Sequence, residues 1–176
     1  RAVAVLIVVI FHADRLPLSG GFVGVDVFFV ISGFLITSII VKELNQNRFS
    51  FNNFWLRRIR RILPVSFFVL LIAVVMFSFT LSPDLFKDFG QSLVAQTFFS
   101  SNILFWEENG YFDTSALSKP LLHTWSLSVE EQFYFLYPSL LFIVHRYAQR
   151  YILPIIAILC LGSFGLSVWG SSQFPS

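Results

Sequence analysis

Long runs without charge constrain this chain more than any other feature. Ile62 to Leu81 holds no charged residue, and neither does Ile152 to Trp169. Phe22 to Ile40 holds one, Asp26, and Thr124 to Val144 holds Glu130 and Glu131. A hydrocarbon core about 30 Å thick needs about 20 apolar residues of helix. Each run has that length. Ala2 to Phe11 is equally apolar but shorter, and reads as a truncated first span. The expectation is an all-α, polytopic transmembrane helix bundle. Its spans fall at about 1–14, 22–41, 62–81, 124–145 and 151–169. Only 12% of the residues are charged, half the soluble-domain average of about 25%. That excludes an ordinary soluble domain and a disordered chain. The single Cys160 excludes a disulfide framework and a multi-thiolate metal site. The chain opens on Arg1 and closes on GSSQFPS, so it reads as the N-terminal part of a longer membrane domain.

Gln91 to Trp106 fits neither class well. Apolar residues alternate with Gln91, Gln96, Thr97, Ser100, Ser101 and Asn102. So polar a segment reads as re-entrant or interfacial rather than as a full crossing. Charge supports this. Lys42, Arg48, Arg57, Arg58, Arg60 and Arg61 stand against Glu43 in what reads as one loop. Positive charge marks the cytoplasmic side. If 91–106 does not cross, Arg146 and Arg150 also fall inside. Asp14, Asp84, Asp88, Glu107, Glu108 and Asp113 then fall outside, with Arg15, Lys87 and Lys119. A crossing would move the acidic 107–119 stretch inside, which is the poorer arrangement.

Arg1, Asp26, Glu130 and Glu131 are charges within or near spans. At the bilayer centre each costs roughly 2.5–3.5 kcal/mol, so such groups face a bundle interior or water, or snorkel to the interface. Asp26 also suits a helix N-terminus, where an acid meets the positive end of the macrodipole. Arg1 and His12 lie eleven residues apart, which puts them on one helix face about 16 Å apart. There an arginine could hold an anion while the histidine handles a proton; a histidine merely touching water at a helix end is the plainer reading. His123, Ser126, Glu130 and Tyr134 fall within an arc of about 80° if one helix carries them all. An imidazole, a hydroxyl, a carboxylate and a phenol on one stripe are hard to explain as packing. Trp125 and Tyr137 would also serve as interfacial belt aromatics.

FWLRRIRRILP, residues 54–64, places four arginines in five positions. Such a cluster orients a span and meets anionic lipid. It equally suits phosphate, to which arginine makes forked hydrogen bonds. Phosphate-loop and dinucleotide motifs are absent, as is a serine nucleophile elbow. His12, His123 and His145 lack metal-ligand spacing, so no metal is expected.

Four pieces together resemble the membrane-bound acyltransferase family 3, the bacterial surface polysaccharide and cell-wall O-acetyltransferases. They are RAVAVLIVVIFHA, GGFVGVDVFFVISGFLIT, FWLRRIRRILP and HTWSLSVEEQFYFLYP, in the family's order from residue 1 to 138. The resemblance implies an integral membrane O-acyltransferase in the bacterial cytoplasmic membrane. It would move an acyl group, usually acetyl from acetyl-CoA, to a hydroxyl of an extracytoplasmic glycan such as O-antigen, exopolysaccharide or peptidoglycan. A sugar hydroxyl needs a general base near neutral pH, and histidine is suited to that. His12 is then base or transient acyl carrier, with Glu130 as the second catalytic residue. Arg1, Arg57, Arg58 and Arg61 would bind the donor. Asp26, Ser32, His123, Trp125, Ser126 and Tyr134 would line the pore and meet the acceptor. Membrane lipid, acyl-CoA and the glycan are the expected partners; nucleic acid is not. Many such members also work with an extracytoplasmic hydrolase-like domain, fused or separate.

A transporter or flippase of a polar or acylated substrate is the rival reading, because polar inward faces also line transport paths. An acyl-CoA hydrolysis or transfer assay separates the two.

Overall fold

The computed structural model describes residues 1–13, 20–108 and 119–173. Among them the chain is all-α, with no strand. The helices are α1 Ala2–His12, α2 Gly24–Asn45, α3 Phe51–Phe77, α4 Pro83–Thr97, α5 Ser101–Glu107, α6 Trp125–Ala148 and α7 Ile152–Gln173. Among the described residues three stretches are long and apolar enough to cross a membrane: Gly21–Asn45, Phe51–Phe77 and Leu122–Gly170. The protein is therefore a multi-pass membrane protein. Helix α1 is apolar but short. The chain divides into two compact units, Arg1–Phe49 and Ser50–Ser176.

In the first unit α1 and α2 pack antiparallel. Glycine makes that approach feasible at two positions. A β-carbon on Gly24 would stand 2.6 Å from the Ala4 carbonyl oxygen, and one on Gly21 would stand 2.5 Å from Phe11 Cβ. Close backbone contact between small residues is how helices associate in lipid, where there is no hydrophobic drive between them. The GGFVG run thus has a steric reason. Two hydroxyls of α2 are satisfied within the helix: Thr37 Oγ1 donates to the Gly33 carbonyl at 2.7 Å, and Ser38 Oγ to the Phe34 carbonyl at 2.8 Å.

In the second unit Ser50 caps α3 by accepting from the Asn53 N–H at 3.4 Å. Helix α3 runs antiparallel to α6. Phe51 meets Phe142 at 5.3 Å, and Trp55 stacks on Phe135 at 5.8 Å and 17°. Towards the other end of α3, Leu70, Phe89 and Leu121 form a buried cluster with Phe77 packed against it. Phe105 and Leu122 form a second one with Trp125.

Two expectations change here. The arginines 57–61 are not in a loop: α3 starts at Phe51 and carries them in its second and third turns. The Ser50 cap starts the helix well before the apolar run, and arginine is a good helix former. The same helix ends at Phe77, four residues before the expected limit at 81. There Ser78 and Thr80 bond back to the Val75 and Met76 carbonyls, and Pro83 opens α4. The expected external segments 12–21 and 107–119 are only partly visible, since Asp14, Arg15 and Asp113 lie outside the described residues.

Helices α4 and α5 form a hairpin whose turn is Phe98–Ser100. Phe99 adopts a left-handed conformation there, with φ 51°. For a bulky residue that costs about 1–2 kcal/mol. The beginning of α4 sits beside the end of α3 through Phe89 and Phe77, 5.3 Å apart. The end of α5 returns to the start of α6, where Phe105 packs on Leu122 and Glu108 pairs with Lys119 at 2.5 Å. Both arms of the hairpin therefore open towards the same end of this unit.

Candidate active site

The hairpin is held by a polar seam. Thr124, Ser128 and Gln132 recur every fourth residue, so they share one face. They meet Gln96 of α4 and Ser101 and Asn102 of α5. Ser101 and Ser128 hydroxyls lie 2.8 Å apart, and both donate to Gln96 Oε1, at 3.0 and 3.2 Å. Gln96, Ser101 and Ser128 are at most 1% exposed. One turn further, Gln132 Nε2 donates to the Phe99 carbonyl at 2.8 Å and to Asn102 Oδ1 at 2.9 Å. Asn102 Nδ2 donates back to Gln132 Oε1 at 3.3 Å. The bond from Gln132 offsets part of the strain at Phe99.

Below the seam α3, the hairpin turn and α6 enclose a cavity of about 500 Å³. Trp55 and Arg58 come from α3, Phe98 and Phe99 from the turn, Glu131 and Tyr134 from α6. Half of the lining residues are aromatic, and Arg58 and Glu131 bring a guanidinium and a carboxyl group to the wall. The Arg58 guanidinium lies 5.2 Å from the Tyr134 ring centre and 5.6 Å from that of Phe54. Such cation–π contacts contribute about 0.5–2 kcal/mol. Tyr134 is 2% exposed, and its hydroxyl donates to Glu130. Glu131 Oε1 is buried with no hydrogen-bond partner. The arrangement can therefore receive a ligand that is apolar along its length and carries a hydrogen-bond donor or a partial positive charge.

The expected site residues divide between the two units. In the first, Arg1 is half-buried, its guanidinium 5.4 Å from the Phe28 ring centre and its Nε buried without a partner. His12 is exposed at the end of α1. Its Nδ1 lies 2.9 Å from the Val8 carbonyl oxygen, which puts the proton on Nδ1 and the basic lone pair on Nε2. Asp26 is exposed in the first turn of α2. Ser32 is buried and its Oγ has no partner.

In the second unit Ser126, Glu130 and Tyr134 share one face of α6. His123 does not belong to that helix; it lies in the single 3-10 turn Leu122–Thr124 that precedes it. Ser126 Oγ reaches back to the His123 carbonyl at 3.2 Å. Trp125 packs against the Phe105–Leu122 cluster rather than into the cavity. Arg58 turns towards α6, while Arg57 and Arg61 are exposed. Glu131, Gln132 and Trp55 were not singled out by the sequence as site residues. The four-residue spacing of Thr124, Ser128 and Gln132 was the readable sign of the seam. Among the described residues no group of three His, Cys, Asp or Glu side chains is placed to hold a metal ion.

A family model described as "acyltransferase domain" matches residues 1–175. The chain belongs to that family. It is 39% identical over 171 residues to "O-acetyltransferase OatA" of Staphylococcus aureus strain NCTC 8325, covering 96% of this chain and 28% of the relative. It is 36% identical over 171 residues to "peptidoglycan O-acetyltransferase OatA" of Listeria monocytogenes, covering 96% of this chain and 27% of the relative. The chain thus spans little more than a quarter of the length of these curated relatives. No solved structure matches it.

Proposed function

We propose that the protein is a membrane O-acetyltransferase of a bacterial cell envelope, acting on a hydroxyl of an extracytoplasmic glycan. The names of the two relatives point to a cell-wall glycan, peptidoglycan in the Listeria case. Acetyl-CoA is the donor in this reading. One observation carries it: an arginine from the basic cluster turns inward onto Tyr134 and shares a cavity with Glu131, beside the Tyr134–Glu130 hydrogen bond. A purely topological cluster has no use for such an inward arginine.

His12 accepts the proton of the acceptor hydroxyl through Nε2. The hydroxyl oxygen attacks the acyl carbon, the carbon–sulfur bond breaks, and the leaving thiolate takes up a proton. As a transient acyl carrier, His12 would instead attack the donor first. Arg1, Arg57, Arg58 and Arg61 bind anionic parts of the donor. Glu130 with Tyr134, His123, Trp125 and Ser126 orients the acceptor, and Asp26 and Ser32 shape the path. The basic 42–61 stretch faces the cytoplasm, 107–120 faces outward, and the α4–α5 hairpin is re-entrant. The proposed spans are the five expected from the sequence, with the third carried by α3 and ending by Phe77.

The test is acetylated glycan measured for wild type and His12→Ala in the full-length protein at matched membrane abundance. Loss of a general base lowers transfer about 10²–10⁴-fold. Transfer within about threefold of wild type, short of that range, removes His12 from the mechanism. Donor hydrolysis without acceptor, retained by the wild type and lost in the variant, identifies the acyl-carrier route.

A further inference from the structure

Pro138 leaves a carbonyl without its helical donor. In an α-helix the oxygen of residue 134 accepts from the N–H of residue 138, and proline has none. Its ring also crowds that carbonyl. The orphan would sit inside α6, where lipid offers no hydrogen bond. Yet a donor reaches it from another helix: Trp55 Nε1 of α3 lies 3.3 Å from the Tyr134 oxygen, across 79 residues of sequence. The Trp55 ring is fixed for this by its stacking on Phe135. Tyr134 is thereby held at three points: its carbonyl by Trp55, its ring face under Arg58, and its hydroxyl on Glu130.

We infer that Trp55 is a positioning residue, whose indole N–H supplies the donor Pro138 withholds and so sets Arg58 in register with the Tyr134–Glu130 pair beside the cavity. The inference rests on the acyl-transfer reading only for its catalytic consequence. Without the bond, the ring contacts and the Arg58–Tyr134 stacking are left to set α3 against α6, and Arg58 is less firmly placed on Tyr134. Proline and indole act as one device: remove the proline, and the backbone of α6 provides its own donor.

That reciprocity gives the test. In the full-length protein Trp55→Phe keeps an aromatic ring but loses the N–H. Hydrogen bonds between membrane helices average about 0.6 kcal/mol and reach about 1.7, so transfer should fall roughly 3- to 20-fold, chiefly through a raised KM for the donor. In a Pro138→Ala background the same substitution should change transfer less than about twofold, since the restored backbone N–H now bonds the carbonyl. A second readout needs no activity. Phe51→Cys with Phe142→Cys, in a cysteine-free background, reports the α3–α6 register through the rate of disulfide formation under mild oxidant. Trp55→Phe should slow it, and Pro138→Ala should restore it. Benzothienylalanine at position 55, the same shape with sulfur for N–H, repeats the loss should the phenylalanine variant insert poorly. Equal losses in the proline and alanine backgrounds overturn the inference, and so does an unchanged register with the isostere. A slowed cross-link with unaltered transfer in an active protein overturns the positioning role. A wild type that transfers nothing sinks the acyl-transfer reading instead, and the cross-link alone then decides.

Discussion

Arg58 and its neighbours occupy different faces of one helix. At 100° per residue, Arg57 and Arg61 point within about 40° of each other, whereas Arg58 diverges from both. It reaches Tyr134, and they remain exposed. The three arginines of this cluster assigned to the donor therefore have unequal work. Arg58→Ala should raise the donor dissociation constant about tenfold or more, the range for hydrogen bonds to charged groups. Arg58→Lys should recover only part, since an ammonium lacks the planar fork and stacks poorly on Tyr134. Binding of labelled acyl-CoA to the purified protein measures both, and unchanged binding in Arg58→Ala would leave the cluster a topological signal only. The sequence made the arginines conspicuous but could not say which one turned inward. That depends on where α6 lies, and Trp55 and Tyr134 are 79 residues apart. For the same reason Glu130 attracted notice by its stripe with Ser126 and Tyr134, while Glu131, one position on, lines the cavity.

Among the elements, the α4–α5 hairpin was the least legible. Its polar residues argued against a simple span, and hydropathy went no further. The structure pairs those residues with Ser128 and Gln132 of α6 and with Thr124 just before it, so the polarity belongs to a lateral contact. The long apolar helices were plain because lipid imposes their length and composition. A seam needs both of its sides to be seen, and one side reads as noise. Gln132→Leu would leave the Phe99 carbonyl and the Asn102 amide without a partner, removing three hydrogen bonds. The expected loss is about 1–3 kcal/mol, seen as a lower Tm of the solubilised protein. Asn102→Leu should cost less, since Gln132 then keeps Phe99. The double variant should cost less than the sum, because both changes break the same amide pair. Strict additivity would mean that the pair is not formed in the membrane.

Across the whole molecule the division of charge predicts orientation. Single cysteines in a cysteine-free protein should react with an impermeant thiol reagent from outside at Glu107 or Lys119, and only after permeabilisation at Arg48. External labelling at Arg48 would reverse the orientation, and labelling at Lys119 only after permeabilisation would make α4–α5 a crossing. The seam also bears on the order in which the chain is made. Gln96, Ser101 and Asn102 leave the ribosome before any of their partners on α6, and Asn102 precedes Gln132 by 30 residues. For that interval the Asn102 amide lacks its partner on α6, and hydrocarbon cannot solvate it. In the proposed re-entrant arrangement the hairpin would wait in the water-rich interface until α6 arrives. A nascent chain arrested before Ser128 should therefore leave a cysteine at position 102 open to the reagent. A chain extended past α6 should close it. A re-entrant hairpin of this kind would have a helix synthesised later as its receptor.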